Sequence, residues 1–282
     1  MIPLILLPPS EGKADGGDGP PWAPATLFDP DLDGRRAQVM AALVRAMSSS
    51  ARRRSELLGV KGEALAAATA RNLGLPTGPT RPAIERYAGV LYQALDARSL
   101  RAPQRRRLEA QVRIVSGLWG VVAPGDPIPD YKLKMGAALP RLGRLATWWR
   151  PALTAALAPE VAGRVVWDLL PNEHRNAWAP CVTPGDPDAP RRLISVRFHD
   201  EVVGAGGTTR LVTVSHWNKL LKGELVRHVL ARQLVEVGDL VDFEHPLGYR
   251  YDPDLTRVAD GGIRIAASFV RPAPASVARL EA

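Results

Sequence analysis

The chain has 282 residues, 46% apolar and 23% charged, enough to build the core of one large domain or two modest ones. A formal charge of +8, from 37 Lys and Arg against 29 Asp and Glu, favours a polyanionic partner, nucleic acid first, although an excess of arginine over lysine is also what high-GC coding produces. The one cysteine, Cys181, excludes an internal disulfide framework and any Cys-rich metal site, and suits a reducing, cytoplasmic setting.

Residues 2–7 (IPLILL) form a short continuous apolar run, the pattern of a strand buried on both faces. It is too short, and lacks the basic lead, for a signal peptide. The run stops at Pro8-Pro9 and hands Ser10, Glu11, Gly12 and Lys13 to a loop, and polar groups beyond a buried first strand are a common ligand position in α/β proteins. The string lacks the second glycine and GK[ST] ending of a Walker loop. Residues 14–31, rich in Gly, Pro and Asp, read as loop. From Asp33 to Met47 the spacing of Val39, Leu43 and Ala46 predicts a helix, ended by Ser48-Ser49-Ser50, which also offers an N-cap. Two further helices meet at a glycine-flanked turn within about residues 50–72, and Lys61 lies on that turn. Helix–hairpin–helix elements grip DNA backbones in this way, with amide N–H groups and a lysine facing a phosphate; a plain helix corner has the same pattern.

Pro76 to Pro82 is linker-like. Residues 83–100 read as a helix pair broken near Gly89, and the basic stretch Arg98–Arg107 is either a solvated helix face or an electrostatic footprint for phosphate. An apolar strand over Val112–Val115 then leads into residues 116–136, SGLWGVVAPGDPIPDYKLKMG. Pro124, Pro127 and Pro129 each fix their own φ and bias the preceding residue away from helix, which predicts a stiff, extended loop over 123–130. That loop delivers Tyr131, Lys132 and Lys134. An aromatic ring beside two ammonium groups suits an anionic or planar ligand; the simpler reading is a proline-braced surface loop with solvated lysines.

Leu139–Leu157 reads as helical, with Trp148 and Trp149 packed in the core and Pro151 starting a new helix. VVWDLL, within Val161–Leu170, is a buried-strand signal that ends in the polar cluster Pro171–Arg175. Residues 181–192 are loop. Leu193–Phe198 and Arg210–Val214 read as strands of a hairpin turned at Gly204, Gly206 and Gly207. Ser215–Leu234 predicts a long helix carrying His216, Trp217, Lys219, Lys222, Arg227 and Arg232. A short element at Asp239–Phe243, a turn-rich HPLGYRYDPD and a last strand at Ile263–Val270 complete the chain. No segment approaches the ~18–20 apolar residues of a membrane-spanning helix.

In their order and spacing these pieces resemble the YaaA family of peroxide-stress proteins. The matching stretches are LLPPSEGK at 6–13, YAGVLYQALDARSL at 87–100, residues 116–136, the Trp148-Trp149 helix, VVWDLLPNEH at 165–174, HWNKLLKGELVRHVLARQL at 216–234 and GYRYD at 248–252. The resemblance implies a single mixed α/β domain over 1–282 with YaaA-like topology, a basic cleft and a helix–hairpin–helix-like element. It also implies DNA binding and a part in limiting oxidative damage, linked to iron. Lys13, Tyr131, Glu173, Lys219 and Arg227 fall where the family has equivalent polar residues. Two departures stand out: Lys134 replaces the acid of the usual P-Y-R-L-E-M-G, and LLPNEH at 169–174 replaces L-A-S-x-E-Y.

Two classes of function follow. The first is a cytoplasmic, DNA-binding protein of the peroxide-stress response. Its phosphate contacts would come from Lys13, Lys61, Lys132, Lys134, Lys219, Lys222 and Arg227. The second is an enzyme recruited from the same scaffold for a small anionic or nucleobase-like substrate. There Glu173 would serve as acid/base, Lys13 or Lys132 would hold the anion, and Tyr131 would stand beside them. No cofactor is expected. The five histidines lack close pairing and only His199-Asp200-Glu201 is locally metal-like, so no metal site is predicted. No serine sits in a nucleophile elbow.

Overall fold

Leu4–Leu7 (β1) buries all four side chains, as its apolar run predicts, and lies inside an eight-stranded mixed sheet. The fold is seen in a computed structural model that describes residues 2–203, 208–214, 218–243 and 245–273. After β1 come α1 (Asp33–Ala46), α2 (Ala51–Leu58), α3 (Gly62–Leu73), β2 (Arg81–Pro82), α4 (Ala83–Arg86), α5 (Val90–Leu95), α6 (Ala102–Gln111), β3 (Val112–Ser116), β4 (Gly120–Val122) and β5 (Pro127–Ile128). The second half holds β6 (Ala138–Leu139), β7 (Gly143–Arg144), α7 (Leu145–Val161), β8 (Val165–Asp168), α8 (Asn172–Arg175), β9 (Arg192–Val203), β10 (Thr209–Thr213), α9 (Asn218–Arg232), β11 (Arg250–Ala259) and β12 (Arg264–Arg271). The expected mixed α/β class is the observed one.

The sheet order is β11-β12-β9-β8-β1-β3-β4, with β10 paired to the outer half of β9. Strand β1 runs parallel to β3 on one side (Ile5 opposite Val112) and to β8 on the other (Ile5 opposite Trp167). Fully buried parallel strands need continuous apolar sequence, which LILL, VRIVS and VVWD largely provide. The chain leaves β1 for one neighbour and returns later on the other side. The carboxyl ends of β1, β3 and β8 therefore open side by side at a reversal of strand order, where open α/β sheets form their crevices.

Two arginines stiffen the signature region from within. Arg36 of α1, fully buried, donates to the carbonyls of Phe28, Asp29, Trp119 and Val121 and pairs with Asp33 at 2.8 Å. Arg86 of α4, equally buried, donates to the carbonyls of Ile128, Pro79 and Ala14. Buried carbonyls need such donors, and an unpaired charge could not be held there. The loop over 123–130 is braced as its prolines predict, but it also carries β5, paired antiparallel with β2.

Three expectations are corrected. Pro151 does not begin a helix: α7 is continuous from Leu145 to Val161 with Pro151 inside it. Pro151 removes one helix N–H, but the buried face formed by Leu145, Trp149, Leu153, Leu157 and Val161 holds the helix together. The helix also starts at Leu145 rather than Leu139, because residues 138–144 form the β6–β7 ribbon. Of the turn-rich piece HPLGYRYDPD, the part from Arg250 on is instead the start of β11, which pairs antiparallel with β12 and shifts register between Asp252 and Arg257, around Pro253. The turn glycines Gly204, Gly206 and Gly207, and Ser215, His216 and Trp217 of the expected long helix, lie outside the described residues; β9 and β10 do pair as the hairpin strands expected.

Candidate functional site

The segment Tyr131–Met135 alternates inward and outward: Tyr131, Leu133 and Met135 are buried, while Lys132 and Lys134 are half-exposed on the other side. This period of two is that of extended chain. Asn72 of α3 fixes the segment by gripping the backbone of Lys132, its amide nitrogen donating to the Lys132 carbonyl and its oxygen accepting from the Lys132 N–H, both at 2.9 Å. Tyr131 anchors it to the sheet. Its hydroxyl lies 2.7 Å from Ser116 Oγ, at the carboxyl end of β3, and 2.9 Å from the Tyr87 hydroxyl. Burial pushes the Tyr131 phenol up to about 12 and raises the Tyr87 phenol well above its ordinary value, so both are neutral hydrogen-bonding groups.

Lys132 and Lys134 face the loop that follows β1, and together with it enclose a cavity of about 250 Å³. Glu11 bridges the two lysines, at 2.9 Å from Lys132 Nζ and 3.4 Å from Lys134 Nζ. The hydrogen bond from Lys132, with the charge of both lysines, holds the Glu11 carboxyl below its ordinary range against the opposing effect of burial. Lys13 enters from the same loop. Its Nζ donates to the Ser10 carbonyl at 3.1 Å and lies 4.1 Å from the centre of the Tyr131 ring and 5.6 Å from that of Tyr87. Desolvation among these groups pushes the Lys13 amine down to about 7.

The far wall is the segment after β8. Glu173, exposed on α8, lines the cavity, and so does His174 beside it. The carboxylate reaches the signature segment, since a Cβ at Gly136 would stand 2.9 Å from Glu173 Oε2. His174 is 5% exposed and neither ring nitrogen has a hydrogen-bond partner. Its Nδ1 lies 3.5 Å from Glu173 Oε1. Burial drives the imidazole down to about 4, so at neutral pH this contact is not an ion pair. Lys219 of α9 completes the lining.

The residues singled out from sequence thus divide. Ser10, Glu11, Lys13, Lys132, Lys134, Glu173, His174 and Lys219 line one cavity, and Tyr131 stands immediately behind it. Lys61 is exposed on the α2–α3 turn outside the lining, but the same turn reaches the rim: a Cβ on Gly59 would lie 3.2 Å from Lys134 Nζ. Lys222 turns away, donating to the Leu169 carbonyl at 3.0 Å, and burial lowers its amine to about 8. Arg227 donates to the carbonyls of Leu95 and Asp96 at the end of α5. Asp200, of the metal-like HDE string, is engaged by Arg271 and the Tyr249 hydroxyl, and no group of three or more possible metal ligands occurs among the described residues. Among those same residues no helix is long and apolar enough to cross a membrane. Ser116, Tyr87 and Asn72, which hold the site from behind, were not distinguishable in sequence.

A family model described as "Peroxide stress protein YaaA" matches residues 4–255. The chain belongs to the YaaA family. A UPF0246 protein of Streptomyces coelicolor is 40% identical over 254 residues, covering 89% of this chain and 92% of the relative. One from Corynebacterium efficiens is 36% identical over 252 residues, 87% and 93% of the two chains, and one from Roseobacter denitrificans is 34% identical over 202, 70% and 72%. The matched span of the YaaA model takes in every lining residue of the cavity.

This YaaA-family chain also uses its lysines unevenly. Among 37 basic residues lysine occurs only at 13, 61, 132, 134, 219 and 222. Four of those six line the cavity.

Proposed function

We propose that this protein, as one domain over residues 1–282, acts in the peroxide-stress response of its cell by binding DNA through the lysine-lined cavity and the adjoining helix–hairpin–helix-like α2–α3 turn. The observation that carries this reading is the gathering of Lys13, Lys132, Lys134 and Lys219 around one opening whose rim meets the turn bearing Lys61. Ammonium groups neutralise phosphates at close range, and backbone N–H groups at a helix start add to the attraction. Lys222 and Arg227, one and two helical turns beyond Lys219 on α9, donate to backbone carbonyls and would add to the basic field only at longer range. Glu11 occupies the position between two lysines that a phosphate oxygen would take.

The test is fluorescence anisotropy of a labelled oligonucleotide across a salt series. Affinity should fall steeply with salt, with a log–log slope of about −0.9 per phosphate contacted on duplex DNA. Lys61→Ala should make the slope shallower by about 1. Absence of binding at low salt sinks the proposal.

The size of the cavity favours a second reading. A space of about 250 Å³ fits one small ligand better than a duplex, so the scaffold can also serve an enzyme acting on a small anionic substrate. Glu173 would then be the acid/base and Lys13 with Lys132 the anion holders, Tyr131 bracing them. Native mass spectrometry of the purified protein identifies what occupies the cavity. Against that molecule a normally folded Glu173→Gln variant should lose turnover by roughly 10²–10⁴-fold while still binding. Unchanged turnover removes Glu173 from the chemistry.

A further inference from the structure

The geometry points to Lys13 as an amine nucleophile that forms an imine with a phosphorylated sugar aldehyde whose phosphate is held by Lys132 and Lys134. This inference rests on the phosphate-binding reading of the cavity and adds a covalent step to it.

Three observations carry it. The first is residue choice. Arginine is the stronger phosphate binder and serves nearly every basic position of this chain, but it cannot give up its proton. The cavity is where lysine is kept instead. The second is the environment of Lys13. Its Nζ sits against the Tyr131 ring and donates to the Ser10 carbonyl, and among the described residues it forms no ion pair, whereas Lys132 and Lys134 are both paired with Glu11. Packing against the rings desolvates the amine, and Lys132 and Arg71 add to that effect; the opposing charges of Asp130 and Glu11 do not offset it, and Lys13 is lowered to about 7, the condition for an unprotonated, nucleophilic lysine. The third is the opposite wall. Glu173 supplies a carboxylate, and His174 supplies a buried ring with two unsatisfied nitrogens, a partner for sugar hydroxyls.

The step balances without an oxidant or reductant. The neutral Lys13 amine adds to the aldehyde carbon, forming a C–N bond as the C=O π bond breaks and its electron pair moves to oxygen. The proton released by nitrogen passes to that oxygen, with Glu173 able to carry it. The resulting carbinolamine loses water as the C=N bond forms, so amine plus aldehyde gives imine plus water. Two sources present this chemistry: a free sugar phosphate in its open-chain form, and the ring-opened deoxyribose of an abasic site in DNA, flanked by phosphates.

The test is reductive trapping of the full-length protein with cyanoborohydride, in one arm with ribose 5-phosphate and in the other with an oligonucleotide carrying a single abasic site. The readouts are intact mass and peptide mapping. In at least one arm a one-to-one secondary-amine adduct is expected, mapped to Lys13, with a trapping rate that rises through pH of about 7 and then levels. Lys13→Arg should abolish the adduct, because a guanidinium keeps its proton and cannot add to the aldehyde. Should that variant fail to fold, the map of the unaltered protein decides. Label confined to Lys13 supports the inference, and label spread over exposed Lys61 and Lys219, or no label in either arm, overturns it. Binding of intact DNA without any adduct removes the imine and leaves the DNA reading standing. An adduct with ribose 5-phosphate in a protein that binds no oligonucleotide does the reverse.

Discussion

Glu11 competes with any anion for Lys132 and Lys134, and its own exposure limits how strongly it can do so. Ion pairs of this kind contribute about 0.2–1 kcal/mol. Replacing Glu11 by Gln should therefore tighten oligonucleotide binding by no more than several-fold, read by the same anisotropy titration, and weaker binding would mean that Glu11 positions the lysines rather than masks them. At this scale the sequence was informative for lysines and misleading for arginines. Lys13, Lys132, Lys134 and Lys219 could be picked out by their place after apolar runs or inside signature stretches. Arg36 and Arg86, which look like surface residues beside Arg35 and Glu85, are fully buried donors to backbone carbonyls. No local pattern separates a solvated guanidinium from one whose partners are 83 or 85 residues away in sequence.

Elements were legible where burial and propensity agree. Strands β1, β8 and β12 announce themselves as apolar runs bounded by breakers, and α1 by its helical spacing. They were missed where tertiary pairing overrides local chemistry. Strand β11 carries Pro253 among polar, largely exposed residues, tolerable only because it is the edge of the sheet and breaks register there. Helix α7 keeps Pro151 because its apolar face is held by the core. Arg36 ties α1 to the Trp119–Val121 segment and to residues 28–29, so its loss is felt by all three. Arg36→Met should cost about 3–5 kcal/mol, the range for leaving a buried charged partner and its hydrogen-bond network unsatisfied. Urea denaturation measures that figure. A change within about 0.5 kcal/mol would show that Arg36 is a surface residue energetically.

For the molecule as a whole, buried amines set how stability varies with pH. Lys13 falls from 10.5 to about 7 on folding and Lys222 from 10.5 to about 8. Below about pH 7 both folded and unfolded chains hold these protons and the folded chain bears the full cost of burying them. From about 7 for Lys13 and about 8 for Lys222 up to 10.5, only the unfolded chain stays protonated, so stability climbs with pH across that window. Tyr131, raised from 10.0 to about 12, acts oppositely: the unfolded chain ionises first, and stability falls once pH passes 10. Scanning calorimetry should therefore find Tm rising above neutrality and turning over near pH 10, with a flatter rise in Lys13→Met; a Tm that declines steadily from pH 7 would contradict these burial effects.

The central place of β1 has a consequence for how the chain comes into being. Strand β1 has neighbours on both sides, and both are made much later than it is, beginning only at Val112 and Val165. Leu4–Leu7 must wait, unpaired and strongly apolar, until Val165 and the residues after it have been made. Closing such distant pairings is slow, because a long loop must be ordered before any contact rewards it. The lysine cavity, which needs both Lys13 and Lys219, cannot be completed before Lys219 has been made.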